Sequence, residues 1–194
     1  RSCEIHGIKT FNGAKADDVI LKTASVIINT KSPLASVFDD VIIGKQAILP
    51  EVDDIVYEDR LGTTGWIYRK KILVGTRDLL IHHGVPVLKE DFEKKYTRKG
   101  RKVLYLAEAG KLMAMFVVSY SADPQLKKAL RKLEKSGMTI LVRSADPFIN
   151  DESIAELFEL PDGYIRVMNS SNGRAFEKYS NLFAQKSPAY IVHN

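Results

Sequence analysis

The chain has 194 residues, 45% hydrophobic and 27% charged, which is enough for one sizeable core or two small ones and excludes wholesale disorder. A net charge of +5 admits an anionic partner, yet most cations are dispersed and read as solvated surface, with no nucleic-acid partner. The single cysteine, Cys3, excludes an internal disulfide framework or a cysteine metal cluster, and the sequence shows neither a signal peptide nor an apolar stretch near the ~20 residues that cross a bilayer.

Ile5 to Phe11 is short and ambiguous, and Asn12-Gly13 marks a turn. From Asp17, the residues Val19, Ile20, Ala24, Ile27 and Ile28 recur at helical spacing. Asp17 and Asp18 fall in the first turn, where the helix dipole favours negative charge. Ser32-Pro33 restarts a helix, with serine as N-cap and proline at the first helical position. Its apolar face is Leu34, Val37, Phe38, Val41 and Ile42, and Gly44 ends it.

Ile55-Tyr57 predicts a strand, and Trp66-Tyr68 with Lys71-Val74 predicts a hairpin turning at Arg69-Lys70. Gly75 breaks the pattern, Thr76 caps a short helix stopped by Gly84, and Lys89-Thr97 reads as a charged helix. Val103-Ala107 and Leu112-Val118 flank Ala109-Gly110 as a second hairpin.

The character changes at Ser119–Pro124. Leu126, Ala129, Leu130 and Leu133 line a helix that Gly137 stops. Met138-Val142 is apolar throughout, as in a buried parallel strand. A helix over Asp151-Phe158, a strand over Tyr164-Met168, a helix over Gly173-Phe183 and a strand over Ala189-Val192 complete alternating α and β units.

Three ordered blocks resemble the cytoplasmic nucleotide-binding and phosphorylation region of P-type cation-transporting ATPases, most closely the heavy-metal branch. Ser32-Pro33-Leu34-Ala35 is similar to the family's His-Pro-Leu-Ala. There the histidine holds adenine and a glutamate five residues earlier assists; here the positions carry Ser32 and Ile27, which supply neither a ring to stack nor a carboxylate to accept the adenine amine. Gly62-Thr63-Thr64-Gly65, followed by Val74-Gly75-Thr76, resembles the glycine-rich loop, hairpin and Val-Gly-Asn of the family, with Arg60 at the first glycine. Glycines there let a backbone approach a nucleotide. Ser144-Ala145-Asp146 resembles Thr-Gly-Asp, whose threonine contacts the phosphoryl group and whose aspartate supports the site. The family's hinge aspartate falls on Tyr120 and its hinge proline on Pro124.

The resemblance implies an α/β fold in two lobes: a nucleotide-binding-type lobe with an antiparallel sheet over 11–118, inserted into a partial phosphorylation lobe (1–10 and 119–194) of the haloacid dehalogenase class, with a parallel sheet in three layers. It implies ATP and Mg²⁺ as ligands, transmembrane segments of the same parent chain as partners, and a cytoplasmic domain of an integral membrane protein as the setting. Ser32, Gly62, Gly65 and Gly75 are the implied nucleotide-binding positions, and Ser144 and Asp146 the implied catalytic ones. The acceptor motif Asp-Lys-Thr-Gly-Thr is absent from the sequence and is expected upstream of Arg1. The family's phosphate-binding lysine falls on Arg174 or Lys178, and the aspartate of its magnesium motif on Asn194, an amide that binds Mg²⁺ poorly.

No metal site is expected. His82-His83 point about 100° apart on a helix, and Asp39-Asp40 and Asp53-Asp54 likewise diverge. Trp66 reads as cross-strand packing. Lys94, Lys95, Arg98, Lys99, Arg101 and Lys102 form the one real cationic run, read as a solvated face with some attraction for phosphate. Phosphoryl transfer needs acceptor, magnesium and cationic clamp together, so the fragment by itself is expected to be inactive. Three functions stay open: the ATP-handling region of a cation pump with weakened nucleotide binding, a catalytically silent pseudo-ATPase serving as a regulatory module, and a soluble phosphatase of the haloacid dehalogenase class.

Overall fold

The computed structural model describes residues 2–168 and the backbone of 189–193. The predicted helix over 173–183, and with it Arg174, Lys178 and Asn194, lies outside the described residues.

One sheet is six-stranded and antiparallel. Its strands are β1 (Cys3–Thr10), β2 (Asp53–Glu58), β3 (Gly62–Ile67), β4 (Lys70–Gly75), β5 (Lys102–Glu108) and β6 (Lys111–Tyr120), in the order β1-β6-β5-β4-β3-β2. The near-continuous apolar runs of β5 and β6 follow from burial on both faces. On one side α1 (Ala16–Ile27) and α2 (Pro33–Val41) pack through Val19, Ala24, Leu34 and Phe38 against Ile67, Ile72, Leu104, Phe116 and Val118. Phe38 meets Phe116 edge to face at 5.0 Å between ring centroids. On the other side α3 (Arg77–His82) and α4 (Glu90–Lys94) cover Leu73, Val103, Tyr105 and Met115.

Cys3–Thr10, read from sequence with the second lobe, forms β1 and pairs along β6 from Cys3↔Tyr120 to Thr10↔Ala114, so it lies in the antiparallel sheet. The sheet also runs past 118, to Tyr120. The first hairpin turns at Tyr68-Arg69, one residue earlier than predicted, with both residues at positive φ; the second turns at Ala109-Gly110 as predicted.

A three-stranded parallel sheet follows, order β8-β7-β9, from β7 (Thr139–Arg143), β8 (Ile165–Met168) and β9 (Ala189–His193). α5 (Pro124–Lys135) and α6 (Asp151–Phe158) supply its helices. Asn150 caps α6 in a reciprocal box with Ser153. Of the predicted apolar face of α5, Leu130 alone is buried, while Leu126 remains 41% exposed. The reason is an open cleft of about 520 Å³, lined by Leu126, Leu130, Ile140, Val142, Tyr120 and Phe148, between α5, the parallel sheet and the end of β6.

Candidate functional site

Ser144 and Asp146 follow directly on β7, and the Ser144 N–H donates to the Met168 carbonyl at the end of β8 (2.9 Å). They therefore sit at the carboxyl ends of parallel strands, where open α/β sheets place ligands. In this chain the position is closed. Asp146 is 1% exposed and Ser144 3%. The Tyr120 hydroxyl donates to both carboxylate oxygens of Asp146, at 3.0 and 2.8 Å. The Phe148 N–H donates to Oδ1 at 2.9 Å, and the Leu34 N–H at the start of α2 also favours the anion. The Asp146 N–H in turn donates to Ser144 Oγ at 3.1 Å.

Burial dominates the electrostatics. It raises the Asp146 carboxyl from its ordinary 3.8 to about 6, against the three hydrogen bonds that favour its charge. Burial also lifts Tyr120 well above its usual range, with the charge of Asp146 adding to it. The neighbouring Cys3 thiol is pushed up to about 12 by burial and then by Asp146, and Tyr57 to about 12, again chiefly by burial. These groups stay neutral at pH 7, and Asp146 is the one anion among them. Both of its oxygens accept hydrogen bonds from neighbouring donors.

The other predicted positions are equally enclosed. Ser32 is 2% exposed. Its Oγ accepts from the Ala35 N–H at 3.1 Å and lies 3.0 Å from Thr30 Oγ1, so the oxygen is spent on capping α2. Ile27, at the expected glutamate position, lies in the core at 4% exposure.

Gly62 and Gly65 are not in a loop. They lie within β3, and Gly62 pairs with Gly75 across to β4. A Cβ on Gly62 would meet the Val74 carbonyl oxygen at 2.3 Å, and Gly62 holds a φ of +147°. A Cβ on Gly75 would meet the Leu61 carbonyl oxygen at 2.2 Å, and one on Gly65 the Val52 Cγ1 at 2.5 Å. Gly62 and Gly75 thus serve close approach of neighbouring backbone, and Gly65 leaves room for the Val52 side chain. Arg60, at φ +61°, pairs at the surface with Glu152 on α6 at 3.7 Å.

None of Ser32, Gly62, Gly65, Gly75, Ser144 and Asp146 lines the 520 Å³ cleft. The structure brings Ser32's helix, Tyr120 and Asp146 together, and separately Gly62 with Gly75. Sequence reasoning missed Cys3, Leu34 and Phe148 as neighbours of Asp146. The only sequence signal for Cys3 was a β1 register that an ambiguous segment did not fix. His82 and His83 converge on one carboxylate after all, with Glu58 at 3.8 and 2.6 Å from their Nε2 atoms. Among the described residues, no three His, Cys, Asp or Glu side chains are grouped to hold a metal ion.

No family model matches the chain. Over 176 residues, 90% of the chain, it is 23% identical to Copper-transporting ATPase 2 of Rhizobium meliloti (strain 1021), and it spans 21% of that protein's length. It superposes on the N-domain of HMA6, a copper-transporting P-type ATPase, with a TM-score of 0.51 at 16% identity, covering 61% of this chain and 100% of that one. The part of the chain built on the large antiparallel sheet resembles in fold that N-domain. A second likeness extends to nearly the whole chain: a zinc-transporting PIB-type ATPase in its E2.Pi state, with a TM-score of 0.53 at 12% identity, covering 98% of this chain and 30% of that one. No helix among the described residues is long and apolar enough to cross a membrane.

Proposed function

We propose that this chain is the cytoplasmic nucleotide-binding and phosphorylation region of a P-type cation-transporting ATPase, with weakened nucleotide binding. Its 11–118 segment, extended by β1, is the N-type lobe. The parallel-sheet part is a partial lobe of the haloacid dehalogenase class. In the parent protein it works with transmembrane segments of the same chain, which carry the cation, while ATP and Mg²⁺ act at the acceptor aspartate.

The observation that carries the reading is the fold likeness across both sheets, together with the motif order Ser32-Pro33, Gly62-to-Gly75 and Ser144-to-Asp146 along the chain. Weakened binding follows from chemistry. Ser32 has no ring to stack on a base and Ile27 has no acceptor for its amine, and the glycine backbone is packed against Leu61, Val74 and Val52.

A second reading, a catalytically silent pseudo-ATPase acting as a regulatory module, is favoured by one observation: the Tyr120 hydroxyl closes Asp146. Titration with ATP and ADP, with and without Mg²⁺, followed by amide NMR, separates the two. Millimolar binding that moves Gly62, Gly65 and Gly75 supports the pump region. No movement at ~10 mM nucleotide, binding weaker than roughly −3 kcal/mol, overturns it in favour of the silent module.

A further inference from the structure

The cationic run that the family motifs leave unused does not lie on a flat surface. Lys95, Tyr96, Arg98, Lys99 and Arg101 form one wall of a concave groove of about 470 Å³. Its floor and opposite wall are His6, Gly7, Ile8 and Lys9 of β1, with Met115 and Val117 of β6. Met115 belongs to the core under α3 and α4, whereas α2 packs on Phe116 and Val118. The groove therefore opens on the sheet face opposite the helix that carries Ser32.

Five lysine and arginine side chains line the groove and no carboxylate does. Among the described residues, none of Lys9, Lys95, Arg98, Lys99 and Arg101 has a carboxylate partner within ion-pair distance. Lys9 Nζ instead lies 4.6 Å from the Phe92 ring centroid, with Lys95 Nζ at 5.8 Å. Phe92 packs against Tyr96, which lines the groove. At Gly7 the β1–β6 register shifts, and a Cβ there would meet nothing within 4 Å, so the floor is open. Unneutralised like charges held around a concavity repel one another, and a bound anion relieves that repulsion. Two arginines present planar donor forks that match phosphate oxygens, and the aromatic wall and apolar floor accept the carbon portion of a small molecule.

We infer that this groove binds a small organic anion bearing two or more phosphate groups, at a site separate from the family's nucleotide cleft.

Pyrophosphate and ATP, titrated separately into the chain at ~0.1 M salt and read by amide NMR, test this. Both should move Gly7, Lys9, Tyr96 and Arg101 along one binding curve, and those shifts should appear whether or not ATP also moves Gly62 and Gly75, which keeps the result distinct from that of the family cleft. Lys95→Glu with Arg98→Glu should weaken pyrophosphate about tenfold or more, the loss of two charged hydrogen bonds. Lys128→Glu with Lys132→Glu, on the exposed side of α5, makes the same change in net charge and should leave affinity within about twofold. Equal losses in both pairs, or scattered shifts, would overturn the proposal in favour of bulk charge. Binding to anionic phospholipid vesicles without binding to pyrophosphate would overturn it in favour of a membrane surface.

Discussion

Replacing Asp146 with asparagine removes a carboxyl group whose proton affinity changes on folding, and this makes a quantitative test. The native carboxyl is raised from 3.8 to about 6, first by burial. The folded state thus holds the proton more tightly than the unfolded chain does. The stability this contributes is fully present below about pH 4 and is lost as pH rises through about 6. An interval of about two pH units, at about 1.4 kcal/mol each, comes to about 3 kcal/mol. Wild type and Asp146→Asn should be unfolded in urea at pH 4, 5, 6 and 7. The difference between them cancels the other carboxylates. It should shift by about 3 kcal/mol against the wild type between pH 4 and 7. The single tryptophan, Trp66, is 41% exposed, so far-UV circular dichroism is the better probe. A difference that stays flat from pH 4 to 7 would refute the account of Asp146 as a sealed carboxylate.

Gly75→Ala should destabilise by about 3 kcal/mol, because its Cβ would meet the Leu61 carbonyl at 2.2 Å and the Gly62 Cα at 2.9 Å, both backbone atoms. Gly7→Ala, with nothing within 4 Å, should change stability by less than about 0.5 kcal/mol; urea midpoints that fail to rank the two this way would remove the packing explanation. Lys22→Ala should cost about 3 kcal/mol, since it strips the cation at 3.0 and 2.9 Å from the oxygens of Glu108, which is 9% exposed. The double variant Lys22→Met with Glu108→Leu should recover most of that loss, and thermal unfolding that finds it no better than the single variant contradicts the ion-pair argument.

Features written in short sequence spans were readable before the structure. The acidic first turn of α1, the Ser32 cap with Pro33 behind it, and the limits of α6 all depend on neighbours within four residues. The Gly62–Gly75 pair was not readable as packing. A two-glycine segment reads the same whether it borders a ligand or another strand, and only the β3–β4 register decides. Segment 1–10 was ambiguous for the same reason, because β1 gains its identity from β6, more than 100 residues away. The buried hydroxyl–carboxylate pair of Tyr120 and Asp146 shows no periodicity and forms where the end of one sheet meets the end of the other. The motif departures themselves were legible, at Ile27, Ser32, Arg60 and Tyr120. Where their side chains go was not.

Those destinations bear on whether a family-like site can be restored residue by residue. Ser32 caps α2, and the helix start so fixed directs the Leu34 N–H toward Asp146, the carboxylate that Tyr120 also holds. Ile27 packs in the same core as Leu34 and Phe38. Ser32→His therefore replaces a capping oxygen, worth about 1 kcal/mol, and forces an imidazole into a position that is 2% exposed, at about 1–3 kcal/mol for overpacking. The expected outcome is a loss of about 2–4 kcal/mol in urea unfolding, with no new amide shifts at Gly62 or Gly75 on adding ATP. An Ser32→His protein as stable as wild type that gains those shifts would show that the serine stands in an open adenine pocket. The coupling of Ser32, Leu34, Tyr120 and Asp146 into one packed unit would then be wrong.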